Sequence, residues 1–244
     1  MDLGHVLFIG GGPGAGKTSI SRELAFRWDL QLYNVDHRTW EHANRLEGPD
    51  PDWSRSPVEL VDDFVAAAHR RWPLVLEDLA VLPDSPAAIA EGPYLLPELL
   101  PPGSQAVFLV PSEEQIRRVR GERGSKPVVG DRDVLLADRY RRVPHIDVDG
   151  PLAEMVEVVA AQFSLDGLPR AVDRPALRRF ENEVLARQIQ LWKESGTAPD
   201  GEWPLPFACE CDEAVCSATV ELTLAEYEAV SASGDRSTLR RPRS

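Results

Sequence analysis

The sequence predicts an α/β fold with a mainly parallel five-stranded sheet, followed by a small C-terminal helix and Cys-rich module. Three observations carry this. Short apolar runs alternate with amphipathic stretches over residues 1–165. A glycine-rich turn joins the first run to the first amphipathic stretch. After a linker at residues 166–175 the composition changes, with Cys209, Cys211 and Cys216 packed into a short, acidic segment.

His5–Gly10 (HVLFIG) ends in glycine and reads as a buried strand. Gly16–Trp28 reads as a helix, with Ile20 and Leu24 on its apolar face. Leu30–Val35 is a second strand, ending at Asp36, and a Pro- and Asp-rich loop follows at Gly48–Pro57. Val58, Val61, Val65 and Ala68 mark a helix over 58–71. Leu74–Leu79 suits either strand or helix, and Ala87–Ala90 is a short apolar stretch before Glu91-Gly92. A proline-bounded short helix is predicted at Leu95–Leu100 and a strand at Gln105–Val110. Ser112 caps a helix carrying acids in its first turn. Glycines punctuate 121–130, a helix covers Asp133–Arg142, a strand His145–Val148 and a helix Leu152–Phe163. A long helix is predicted from Pro175 to Gly196, with Leu177, Phe180, Val184 and Leu191 as its apolar stripe. A proline-rich loop at Ala198–Phe207, a strand at Ala218–Leu222 and a capping box at Thr223–Glu226 follow. The tail after Ser231 is expected to be disordered. The predicted division is 1–167, 168–232 and a tail at 233–244.

Composition narrows function. A formal charge of −13 argues against duplex nucleic acid and anionic membranes as partners. No apolar run is long enough to span a bilayer, the N-terminus lacks a basic signal segment, and the cysteine count is odd; a cytoplasmic setting is expected. Only three of the 27 basic residues are lysines, which draws attention to Lys17. Residues 117–142 carry nine basic side chains against four acidic ones, an anion-handling pattern.

Gly11-Gly12-Pro13-Gly14-Ala15-Gly16-Lys17-Thr18 matches G-x-x-x-x-G-K-[ST] in full, between an apolar strand and a helix. Glycines let the backbone curl so that N–H groups point at phosphate oxygens, and the helix N-terminus adds positive charge. The loop from Gly12 to Ser19 is therefore the expected phosphate cradle, with Lys17 reaching the terminal phosphates and Thr18 offering its hydroxyl to Mg²⁺. This unit implies the three-layer sandwich of P-loop nucleotide-binding proteins. Asp36 follows Lys17 by 19 residues, at a strand end beside the loop, where a carboxylate can take a proton from an attacking hydroxyl. Arg38 is a candidate anchor for an acceptor carboxylate or phosphate. Two segments have the hydrophobic-then-acid form of a Walker B strand, Leu74–Asp78 (ending Glu77-Asp78) and Ala88–Gly92. Glu91-Gly92 is favoured and placed at the acceptor site. No guanine-specific Asn-Lys-x-Asp occurs, which favours ATP.

The glycine loop, second strand and Asp36 at this spacing resemble the shikimate kinase, adenylate kinase and chloramphenicol phosphotransferase group over residues 4–165. The resemblance implies an ATP- and Mg²⁺-dependent kinase acting on a hydroxyl of a small-molecule acceptor such as a sugar, nucleoside or antibiotic. It also implies an arginine-bearing lid after the fourth strand. Arg117, Arg118, Arg120, Arg123 and Arg132 occupy that stretch, with Arg120 and Arg123 the preferred catalytic pair. The alternative is a regulatory switch ATPase acting through a protein partner. A third reading makes the C-terminal helix and cysteine module a homodimerisation or protein-docking element.

Cys209-x-Cys211-x4-Cys216 admits three readings: Zn²⁺ ligation, completed by Glu210, Asp212 or water; burial of the thiols as small apolar groups; or redox chemistry. The segment loosely resembles cysteine-rich tails of actinobacterial proteins. His37, His42, His69 and His145 read as structural. Trp28, Trp40, Trp53 and Trp72 read as core residues or as stacking surfaces for an acceptor.

Overall fold

The computed structural model describes residues 3–46 and 52–240; Gly48–Pro51 of the expected loop and residues 241–244 of the tail lie outside them. In chain order the elements are β1 (Val6–Gly11), α1 (Lys17–Arg27), β2 (Gln31–Asn34), α2 (Thr39–Ala43), α3 (Pro57–Ala80), β3 (Ala88–Glu91), β4 (Gln105–Val110), α4 (Glu113–Glu122), α5 (Pro127–Tyr140), β5 (Ile146–Asp147), α6 (Leu152–Ala160), α7 (Arg174–Glu194), β6 (Leu205–Ala208), β7 (Thr219–Leu222) and α8 (Leu224–Ser233). Strands β1 to β5 form one parallel sheet in the order β2-β3-β1-β4-β5.

The strands read as continuous apolar runs because both faces are covered. Leu7, Ile9, Ile89 and Leu109 face one layer, packing with Ile20 and Leu24 of α1 and Val156 and Val159 of α6. Val6, Phe8, Ala88 and Ala90 face the other, against Val75 and Leu79 of α3. Farther along that face, Phe108 and Val110 meet Leu136 and Tyr140 of α5. The result is the expected three-layer α/β sandwich. Its crossover places β1 between β3 and β4, and the carboxyl ends of these strands open a crevice.

Several elements differ from the sequence reading. α3 is 24 residues long and passes through Pro73, so the ambiguous Leu74–Leu79 segment is helical and buries Val75 and Leu79. Only a single 3-10 turn, Pro97–Leu99, forms where a short helix is expected. The glycine-rich stretch 121–130 is largely helical: Gly121 lies in α4 and Gly130 in α5. The proline-rich loop contributes a strand, β6, which pairs antiparallel with β7. The expected disorder after Ser231 does not hold for the described tail: α8 runs to Ser233, Leu239 is buried against Phe207 and Tyr227, and Arg236 is bound to Glu210.

α7 has a different inner face from the one predicted. Phe180 is 42% exposed, whereas Arg174, Arg178 and Asn182, one turn apart, are buried. Arg178 donates to the carbonyl of Leu30 (2.8 Å) and to Glu181 (2.6 Å), and its guanidinium lies 3.9 Å from the Phe26 ring centre. Glu181 accepts from the backbone N–H of Leu32 (2.7 Å). Since β2 is an edge strand, this pair satisfies backbone groups that would otherwise face a helix unpaired. Among the described residues no helix is long and apolar enough to cross a membrane.

Removing Arg178 leaves Glu181 buried without its counter-charge. We expect Arg178→Met to cost about 3–5 kcal/mol, read as a lower urea midpoint with an unchanged slope. Arg178→Met with Glu181→Gln should recover part of that loss. A single variant as stable as the parent would remove α7 from the set of elements that hold the sheet edge.

Candidate functional site

The glycine loop takes its shape from backbone freedom, which Gly11, Gly14 and Gly16 supply with positive φ. Gly11 has φ +122°, and a Cβ there would lie 2.1 Å from the carbonyl oxygen of Leu109. Gly16 has φ +71° and caps α1, whose first residue is Lys17. The loop therefore ends on a helix N-terminus, whose first N–H groups have no carbonyl partner within the helix and suit an anion. Lys17 is buried and its ammonium donates to the carbonyl of Gly12 (2.8 Å). Gly12 is fixed by its N–H to Leu109 (2.9 Å), and Ala15 packs in the core beneath the loop. Burial pulls the Lys17 pKa down, while the charges of Glu91, Asp36 and Asp133 push it back up.

Glu91 ends β3 and is buried. It accepts from the Thr18 hydroxyl (2.9 Å) and from the Asn34 side-chain amide. Burial, reinforced by neighbouring Asp36, raises its pKa to about 7. Glu77 and Asp78, the competing acids, lie on α3; Glu77 pairs with Arg45, and Asp78 accepts from the Tyr33 hydroxyl (2.6 Å). The carboxylate at the loop is therefore Glu91.

Asn34 also organises the next turn. Its side-chain oxygen accepts from the N–H groups of Asp36 (2.8 Å) and His37 (3.3 Å), capping the 3-10 turn Val35–Arg38. Asp36 is exposed, but only into the cleft it lines. That enclosure raises its pKa, against the opposing fields of Arg71 and Lys17. Burial similarly lowers the His37 pKa to about 4, leaving a neutral ring. Arg71 donates to the Val35 carbonyl and to His42 Nδ1 (2.8 Å), and His42 Nε2 meets Asp78 at 3.0 Å. His42 is thus structural, as read from sequence.

The cleft has a volume of about 800 Å³. Pro13, Gly14 and Gly16–Ser19 line one end, with Asp36 and Glu91 beside them. Arg120, Arg123 and Arg132 also line the cleft, as do the aromatic side chains Trp53, Phe64 and Tyr94. The buried carboxylate of Asp133 holds both Arg120 and Arg132, the latter at 2.6 Å. Phe64 and Tyr94 stack at 4.6 Å, and Arg132 lies 5.3 Å from the Trp53 ring.

Not every predicted residue is here. Arg38 pairs with Glu41 (2.8 Å) and turns toward Asp78, away from the cleft. Arg117 and Arg118 are exposed and pair with Glu113 and Glu122. Gly92 does not line the cleft: it sits against Val35, where a Cβ would meet the valine side chain at 2.9 Å. Trp28, Trp40 and Trp72 also lie elsewhere, Trp40 stacked on Trp192 of α7 and Trp72 tilted against Phe8. Conversely, Asn34, Arg55, Asp63, Arg70, Arg71 and Asp133 serve the site without having been singled out. Asp133 is adjacent to Arg132, but so is Asp131, and the sequence does not separate the two.

No family model matches the chain, and no curated protein sequence matches it. Among solved structures, the chain is similar to a gluconokinase from Sinorhizobium meliloti 1021, with 20% identity, a TM-score of 0.40 and coverage of 66% of this chain and 93% of that one. It is also similar to a shikimate kinase from Bacteroides thetaiotaomicron (19% identity, TM-score 0.40, 64% and 94% covered). A sugar kinase from Janibacter sp. HTCC2649 is a third (18% identity, TM-score 0.33, 64% and 92% covered).

The raised pKa of Glu91 makes a signed statement about stability. Between its ordinary value near 4.5 and about 7 the folded chain holds a proton that the unfolded chain has lost, so stability falls as pH rises through that window. Glu91→Gln keeps the shape and removes the charge. We expect the variant to gain stability over the parent progressively across the window, levelling at no more than about 3 kcal/mol above it. A gap that does not widen with pH would contradict the burial of this charge.

Proposed function

We propose that this chain is an ATP- and Mg²⁺-dependent kinase that transfers the γ-phosphoryl group to a hydroxyl of a small molecule. The observation supporting it most is that the glycine loop with Lys17, the Thr18–Glu91 pair, the Asp36 carboxylate and five arginines border one cleft. The loop and Lys17 suit a polyphosphate by shape and charge. The Thr18 hydroxyl and Glu91 carboxylate are hard oxygen donors of the kind Mg²⁺ takes, and the two residues would hold it. When bound, the ion neutralises charge on the terminal phosphates.

Asp36 is the proposed base. Its enclosure makes the carboxylate more basic, against the opposing fields of Arg71 and Lys17. It takes the proton of the acceptor hydroxyl as that oxygen bonds to the γ-phosphorus; the bond from phosphorus to the bridging oxygen breaks and ADP leaves. Lys17, Arg120, Arg123 and Arg132 stabilise charge on the transferring group. The aromatic side chains of the cleft, Trp53, Phe64 and Tyr94, give a ring-shaped acceptor faces to stack on. A switch ATPase has no need of such faces.

Lys17→Ala should lower kcat/KM for transfer about 10³-fold while the chain stays folded. Asp36→Asn separates the two enzymatic readings: transfer to the acceptor should fall ~10²–10⁴-fold, with slow acceptor-independent ATP hydrolysis within a few-fold of the parent. Equal loss of both activities, or of neither, would remove Asp36 as the base. Asp133→Ala frees Arg120 and Arg132 and should raise KM for ATP about 10-fold. An unchanged KM would mean that these arginines do not meet the nucleotide.

A further inference from the structure

The cysteine cluster lies outside the cleft, on the connection between β6 and β7. Its three sulfurs all lie within 4.8 Å of one another. Tetrahedral Zn–S bonds of ~2.3 Å put sulfurs ~3.8 Å apart, so one ion satisfies all three with little movement. Chain alternation accounts for the grouping. Cys209 and Cys211 point to one side and Glu210 to the other, where it accepts from Asn182 (2.9 Å) and Arg236 (2.7 Å). Glu210 is therefore removed as a ligand.

Backbone contacts hold the knuckle in shape. Cys209 donates its N–H to Ala218 across the hairpin (3.0 Å) and Cys216 donates to Glu213 (3.3 Å). Val215, a β-branched residue, has φ +58°, which turns Cys216 back toward the other two. Simple apolar burial does not explain the cluster, because Cys211 and Cys216 are only partly buried. A disulfide would pair two sulfurs and leave the third beside them.

We propose that Cys209, Cys211 and Cys216 hold a Zn²⁺ ion with solvent at the fourth position, and that this knuckle fastens the C-terminal module to α1 through Arg174. Arg174 bridges the two bodies. It donates to the Cys216 carbonyl, to the Phe26 carbonyl (2.9 Å) and to Asp29 (2.6 Å). Three thiolates around Zn²⁺ carry one net negative charge, and this guanidinium is the adjacent cation. The site stands apart from the cleft and does not depend on the kinase reading.

The test uses the full reduced chain, loaded with Zn²⁺ and freed of excess by gel filtration. About one Zn²⁺ per chain is expected, with thiol modification at least ~10-fold slower than after a chelator is added. Chelation should also speed amide exchange at 205–222 and in the first turn of α7. Cys216→Ser, at a partly exposed position, should lose most of the retained metal while keeping the helical signal of the parent. Retention below about a tenth of an equivalent, thiols that react equally fast with and without chelator, or a disulfide in the purified chain would each overturn the proposal.

Discussion

An ammonium group taken largely out of water organises this molecule. Lys17 sits at the start of α1, buried, with one carbonyl in hydrogen-bond reach and the fields of Glu91, Asp36 and Asp133 around it. A lone buried cation would lose its proton or move to solvent. It stays because three carboxylates converge from β3, the turn after β2, and α5. Those carboxylates in turn need partners. Glu91 has Thr18 and Asn34, Asp36 has the field of Arg71, and Asp133 has Arg120 and Arg132. The strand order that brings the ends of β1 and β3 together is the geometric condition for this charge cluster.

The C-terminal module supports the same cluster from outside. α7 covers the β2 edge with Arg178 and Glu181, and farther along Gln188 accepts from the Trp40 backbone N–H (3.0 Å) while Trp192 stacks on the Trp40 ring. Trp40 follows the turn that carries Asp36 by one short step of chain. The module is thus a brace behind the turn that carries Asp36. The inner face of α7 is harder to read from sequence than the helix itself: of the expected stripe Leu191 is buried and Phe180 is not, while two arginines and an asparagine are buried beside Leu185 and Ile189.

What was legible in the sequence was local. The glycine loop needs adjacent residues, and its backbone demands, such as the 2.1 Å approach at Gly11, exclude other side chains. The strands were legible because burial on both faces makes them apolar without interruption. The choice between Glu77-Asp78 and Glu91 was not forced by pattern, since both follow apolar residues. It is decided by α3 continuing through Pro73, which carries the first pair onto a helix. Arg38 was misplaced because Glu41 lies one turn away and captures it. Arg55, Arg70 and Arg71 were missed because their role depends on how α3 and the chain just before it cross the cleft, a tertiary fact with no local signal. The tail after Ser231, expected to be disordered, is held where it is described: Leu239 is buried and Arg236 meets the buried carboxylate of Glu210.

The most direct measurement is the fate of the γ-phosphoryl group. Purified chain with Mg²⁺ and isotopically labelled ATP is incubated with pooled sugars, nucleosides and aromatic antibiotics, and products are read by mass. The account predicts an acceptor-dependent release of ADP matched, mole for mole, by one acceptor that has gained a labelled phosphoryl group. ADP release unaffected by any acceptor, with all label recovered as inorganic phosphate, would contradict it.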